Sequence, residues 1–208
     1  MTVITRETRE TRVRVEIKAG PGEGTIDTGV RFLDHMLDQL AKHSLIDITV
    51  KAKGDLHIDE HHTVEDCALA LGQALKIALG DKRGIHRYGF LLPMDEALAQ
   101  VAIDLSGRPY CVFEGNFGRD SVVQLPTELV PQFFRSLAET LGAAINIKFE
   151  GDNTHHMIEA CFKGLGRALR QPAVHLALGQ QRVEDRAGVV DGDHAHELDL
   201  ARLGVDLD

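Results

Sequence analysis

His61-His62-Thr63-Val64-Glu65 and His155-His156-Met157-Ile158-Glu159 carry one pattern, His-His-x-x-Glu, twice and 94 residues apart. Each copy opens a segment with helical spacing. On a helix, residues four apart share a face, so His61 with Glu65, and His155 with Glu159, can each hold a metal ion. The second histidine of each pair sits about 100° further round, too far to serve the same ion easily. It points elsewhere, and a second ion is the economical partner. One copy alone would be ordinary; two matched copies predict a two-metal site.

The repetition extends well beyond the motif. At an offset of 97, residues 35–55 lie on 132–152 without a gap, with Leu40 on Leu137, Ala41 on Ala138, Ile48 on Ile145 and Gly54 on Gly151. Three extra residues follow in the first half, and at the new offset of 94 Glu65, Cys67, Leu71, Gly72 and Leu75 meet identical partners. The period is too long for a solenoid repeat, and two copies are too few for an array. Two similar halves about a pseudo-twofold axis are expected.

Each half reads alike. Apolar periodicity predicts helices at Phe32–Lys42 and Leu129–Leu141, and alternation predicts strands at Ile46–Ala52 and Ile145–Phe149. Gly-Asp turns lead into the His-His helices, which run to about Leu79 and Arg170. Val13–Ile17 and Val101–Leu105 are further strand candidates. The expected fold is α/β in the α+β sense. Two halves, residues 1–92 and 93–171, would each hold a small, mostly antiparallel sheet and two helices. The helices, which carry apolar stripes, would pack between the two sheets. Residues 172–208, with eight acidic residues against three arginines, read as a divergent and flexible acidic tail.

Hydrophobic content of 43% and charged content of 26% are those of a globular protein in water. A net charge of −9 argues against nucleic acid as a partner, and no apolar run reaches the roughly 20 residues of a membrane span. Cys67, Cys111 and Cys161 form no Cys-x-x-Cys pair, and their odd number argues against a disulfide framework. With no signal-peptide stretch, a cytoplasmic setting is expected. There is no Gly-rich dinucleotide or phosphate-loop motif.

A two-metal site needs more ligands than the motif helices supply. His35, near the start of its helix, is the best first-half candidate. Imidazole with carboxylate suits manganese, iron, zinc or nickel, and the residues do not choose among them. The pattern is neither His-Glu-x-x-His nor Glu-x-x-His, which disfavours a zinc protease or a di-iron bundle. Arg87 and Arg108 sit in glycine-containing turns, and Lys163 lies two turns along the second motif helix. Cations near a metal site in an acidic chain point to a small anionic substrate such as a phosphate ester. Each arginine taken singly reads as an ordinary surface cation. Glu10, ahead of a strand, is a free carboxylate candidate near the site.

Several long strings together resemble the imidazoleglycerol-phosphate dehydratase family. They are Phe32-Leu-Asp-His35-Met-Leu-Asp-Gln-Leu-Ala-Lys-His43, Gly54-Asp-Leu-His57 through Glu65, Leu105-Ser-Gly-Arg108-Pro and His155 through Lys163. The resemblance runs from about Glu7 to Gln171. It implies dehydration of imidazole glycerol phosphate to imidazole acetol phosphate in histidine biosynthesis, without a redox cofactor. It also implies two manganese ions per subunit and a homo-oligomer of 24 subunits with metal at the interfaces. Carried over by residue, one ion takes His35, His62, His155 and Glu159. The other takes His61, Glu65, His156 and a histidine from the second half's first helix. Glu10 is implied as the acid or base at the reacting carbon, His43 and Lys163 in the substrate pocket, and Arg87 and Arg108 toward the phosphate.

The chain departs from that pattern in two places. The position matching His35 is Gln132, a weaker ligand for these metals than imidazole. Residues 172–208 contain no Ser-Thr-Lys-Gly-like string of the kind that ends the family's chains. Two alternatives therefore stand beside the dehydratase: an assembled metal-binding protein of weak activity, and a metal-dependent phosphate-ester hydrolase.

Overall fold

The computed structural model describes residues 1–82, 85 and 89–170. Arg87 and the acidic segment 172–208 lie outside the described residues.

The first half opens with β1 (Thr2–Glu7), β2 (Arg12–Ala19) and the short β3 (Ile26–Asp27). It continues through α1 (Arg31–Ser44), β4 (Ile46–Lys53) and α2 (His61–Leu79). Its sheet has the order β1-β2-β4-β3, antiparallel except where β3 runs parallel to β4. The second half repeats this plan with β5 (Phe90–Met94), β6 (Ala97–Asp104) and β7 (Tyr110–Glu114). A small hairpin, β8 (Ser121–Val122) with β9 (Leu125–Pro126), is added before α3 (Leu129–Leu141) and β10 (Ala144–Glu150). Helix α4 covers 154–170. The second sheet has the order β5-β6-β10-β7, again with one parallel pair, β7 with β10. The fold is thus the expected duplicated α/β architecture. β5 straddles the boundary expected after residue 92 and pairs wholly within the second sheet.

Alternation sets which sheet face is covered. Val13, Val15 and Ile17 of β2, with Ile46, Ile48 and Val50 of β4, are buried, while their neighbours along the strand face outward more often. Val101 and Ile103 of β6, with Ile145, Ile147 and Phe149 of β10, do the same in the second sheet. Between the sheets lie the helices, α2 against β1 and β2, and α3 against β7 and β10.

The helices pair across the halves rather than within them. A Cβ on Gly72 of α2 would meet the Thr140 hydroxyl and, at 2.7 Å, the Leu137 carbonyl of α3. Its matched residue in α4, Gly166, would meet His43 Cβ at 2.8 Å and the Leu40 carbonyl at 3.0 Å in α1. Glycine at both positions lets the helix backbones approach. The helix ends match too: Leu45 and Gly142, related by the offset of 97, cap α1 and α3 in the left-handed conformation at φ 56° and 68°. That conformation costs a leucine about 1 kcal/mol more than it costs glycine.

Candidate metal centre

Pairing of α1 with α4 brings His35 to the second His-His box. His155 Nε2 lies 2.9 Å from Glu159 Oε2, the geometry expected of residues four apart on one helix face. His35 Nε2 approaches the same oxygen at 3.5 Å. The three donor atoms all lie within 4.8 Å of one another. Ligand atoms on an ion with bonds of about 2.1 Å stand roughly 3 Å apart, so a small inward movement of the imidazoles would let this set hold a divalent transition metal. Phe32 closes one side, its ring edge-on to His155 at 5.0 Å between centroids.

Glu159 is buried, and Lys163 Nζ holds its other oxygen, Oε1, at 2.7 Å. Burial alone would push this carboxyl up. The Lys163 hydrogen bond and charge, followed by His35 and His155, outweigh it and hold Glu159 below the usual carboxylate range. Oε2 is left facing the two imidazoles as an anion. His43, further along α1, donates from Nδ1 to the Gln39 carbonyl at 2.9 Å, and lies near Lys163 and Arg167.

The pseudo-twofold counterpart is built on α2 and α3. His61 Nε2 lies 3.6 Å from Glu65 Oε2. In place of a third imidazole, Gln132 Nε2 donates to Glu65 Oε1 at 3.2 Å, and Arg135 Nη1 donates to Gln132 Oε1 at 2.8 Å. Two imidazole–carboxylate sets are therefore present, one with three ligating donors and one with two.

The second histidine of each box turns away from its neighbour, as helix geometry requires. His62 Nδ1 donates to Asp55 at 3.0 Å, and His156 Nδ1 donates to Glu96 at 2.8 Å. These bonds raise both imidazoles above the ordinary histidine value, while Glu96 is drawn down to about 2, chiefly by His156. A carboxylate on Nδ1 fixes the tautomer and leaves Nε2 as the available ligand atom, the arrangement usual around metal-binding histidines. Sequence reasoning missed Asp55, Glu96 and Arg135. Asp55 stood in a Gly-Asp turn just ahead of the motif, and Arg135 stood three residues past Gln132 on one helix. Glu96, distant in sequence from His156, carried no signal.

The remaining site candidates fall in different places. Glu10 is exposed in the β1–β2 turn, where its charge is among those raising His62. Buried Asp66 holds that turn to α2 by accepting from Thr11 Oγ1 and from Arg6 Nε at 2.6 Å. Thr8 Oγ1 in turn accepts from the backbone N–H groups of Glu10 and Thr11 at 3.2 and 3.0 Å. Arg108 is exposed beside Gly107, whose N–H donates to the Gly142 carbonyl past the end of α3. Gln132 is in that helix's first turn, about 15 Å away along the axis at ~1.5 Å per residue, so one chain does not bring Arg108 to the α2–α3 set. Among the described residues no helix is long and apolar enough to cross a membrane.

Fold and side chains together define an internally duplicated α/β protein with paired imidazole–carboxylate centres between its halves. Residues 28–169 match the family described as imidazoleglycerol-phosphate dehydratase, and the chain belongs to that family. It is 60% identical over 169 residues to histidine biosynthesis bifunctional protein HisB of Stenotrophomonas maltophilia (strain R551-3), covering 81% of this chain and 47% of that protein. The corresponding protein of Xylella fastidiosa (strain 9a5c) is 54% identical over 188 residues, covering 81% of this chain and 50% of that one. The chain spans about half the length of these curated relatives. Among solved structures, imidazoleglycerol-phosphate dehydratase from Staphylococcus aureus subsp. aureus N315 superposes with a TM-score of 0.74 at 37% identity. The match covers 82% of this chain and 96% of that one. The Pyrococcus furiosus enzyme gives 0.72 at 39% identity, covering 81% and 92%.

Proposed function

We propose that this chain catalyses metal-dependent dehydration of imidazole glycerol phosphate to imidazole acetol phosphate, a step of histidine biosynthesis, in the cytoplasm. The observation that carries the proposal is the group of His35, His155 and Glu159, assembled across two halves of a family-typical fold with all three donor atoms mutually within 4.8 Å. Such a set, with its partner on α2, suits manganese or another divalent transition metal at two sites per subunit. Metal held by these residues would anchor the substrate imidazole and favour its imidazolate form, whose ring electrons would then expel the C3 hydroxyl.

The protein side chains then have separate tasks. Lys163 orients Glu159 so that Oε2 stays directed at the imidazoles. His62 and His156, each fixed by a carboxylate on Nδ1, keep Nε2 for metal outside their own helix's first set. Ligands drawn from more than one subunit follow from that divergence, with a homo-oligomer of 24 subunits as the proposed assembly. Glu10 takes the proton from C2 as general base. The resulting enol takes a proton at C3 and becomes the ketone, so one water leaves and nothing is oxidised. His43, Lys163, Arg108 and Arg87 supply the pocket and the positive charge for the phosphate, Arg108 across a subunit boundary.

The test follows product and particle size together, with and without chelator. The proposal expects imidazole acetol phosphate from a large assembly, with both lost on chelation. Phosphate release without loss of water would identify a hydrolase instead. Assembly without turnover would leave a metal-binding protein of the same fold.

A further inference from the structure

We infer that the two pseudo-twofold-related metal sites of this chain are unequal, the α1–α4 site binding an ion tightly and the α2–α3 site weakly. The inference rests on the metal reading above and adds a difference between the sites that the fold's symmetry does not anticipate.

The duplication maps His35 onto Gln132, His155 onto His61 and Glu159 onto Glu65. Two of the three donors are kept and one is exchanged. A glutamine can offer an ion only its Oε1, since the amide nitrogen has no free lone pair. Here Oε1 accepts from Arg135 Nη1 at 2.8 Å, while Nε2 donates to Glu65 Oε1 at 3.2 Å and lies 3.3 Å from Ser136 Oγ. A guanidinium can only donate and a carboxylate only accept, so the amide between them has one sensible orientation. It turns its donor toward the site and its acceptor away.

Charge follows the same division. Arg135 stands where the first copy has Asp38. The α2–α3 site thus has a cation beside its third position, and the α1–α4 site has an anion there, itself paired with Lys42 at 3.2 Å. Lys163 does stand beside the α1–α4 site, but it occupies Glu159 Oε1 and leaves Oε2 to the imidazoles. For the α2–α3 site to gain a third ligand, the amide must turn over and give up its bonds to both Arg135 and Glu65. The intact site needs no rearrangement.

The test is equilibrium dialysis of the full chain against Mn2+, with bound metal counted by atomic absorption and bound Mn2+ distinguished by EPR. The expected result is one tight ion per chain and a second bound at least tenfold more weakly. Gln132→His should convert the weak class to a second tight ion, and His35→Gln should remove the tight class. Two equal tight ions in the unmodified chain would overturn the inequality and leave the metal reading intact. No bound manganese at all would overturn both. A second class that stays weak in folded Gln132→His would overturn the assignment to Gln132. Should that variant fail to fold, the count on the unmodified chain still decides.

Discussion

His35 Nε2 lies 3.5 Å from Glu159 Oε2, although the two residues belong to different halves of the duplication. Neither half holds this site alone. The candidate metal centre is a consequence of how α1 and α4 pack, and that packing depends on a glycine.

Replacing Gly166 by alanine should therefore disturb the centre from a distance. The new Cβ would stand 2.8 Å from His43 Cβ and 3.0 Å from the Leu40 carbonyl, and the carbonyl cannot swing aside like a flexible side chain. Overpacking of this kind costs about 1–3 kcal/mol. Thermal denaturation should show a lowered Tm, and metal affinity should fall with it. An unchanged Tm would mean that the helices are not in close contact.

Glu159→Gln should abolish tight metal binding with little change of shape. The variant keeps the volume but removes the anion that Lys163 holds in place and that His35 and His155 face. Metal content after dialysis should drop by one ion per chain, while the circular dichroism spectrum stays the same. Retention of metal would place the ion elsewhere.

Asp66→Ala should loosen the turn that carries Glu10. Asp66 is buried, and it accepts from Arg6 and Thr11. Hydrogen bonds to a charged group are worth about 1.5–3 kcal/mol each, and the partly exposed Arg6 will contribute at the low end. Stability should fall by about 1–3 kcal/mol. Under the proposed role of Glu10, kcat should fall more than KM rises; a change in KM alone would contradict that role.

His43 should make the metal-free protein sensitive to mild acid. Burial, and then the charges of Lys163 and Arg167, hold its pKa below 6.5, against the opposing pull of the Gln39 carbonyl and Glu159. As pH falls, the unfolded chain takes up this proton first, so folding is progressively disfavoured from about pH 6.5 down to the lowered folded value. Chelated wild type should lose stability relative to His43→Gln across that window. A difference that stays constant from pH 8 to 5 would show that His43 is not the titrating group.

Much of this was readable from the chain because duplication is visible as an offset, and an offset carries contacts with it. The helices containing His35, His61, Gln132 and His155 could each be placed by apolar period, and the divergence of adjacent histidines follows from turn angle alone. β1 was not readable: Thr2–Glu7 alternates half-buried and exposed positions with no strong apolar residue run. β7 was missed as well, and its strand partners come from β10, more than thirty residues later. The partners of His62 and His156 differ between the halves, a Gly-Asp turn in one and the β5–β6 turn in the other. Symmetry therefore could not supply them. Gln132 was visible as a departure, but its bonds to Glu65 and Arg135 depend on the α2–α3 packing, which no spacing encodes.

The most direct test of the central claim is turnover of imidazole glycerol phosphate in D2O by the manganese-loaded full chain, with products read by NMR after metal removal. The account predicts imidazole acetol phosphate carrying at least one deuteron at C3, and none of this product after chelation. Inorganic phosphate released with the diol intact, or no conversion by protein shown to hold its metal, would contradict it.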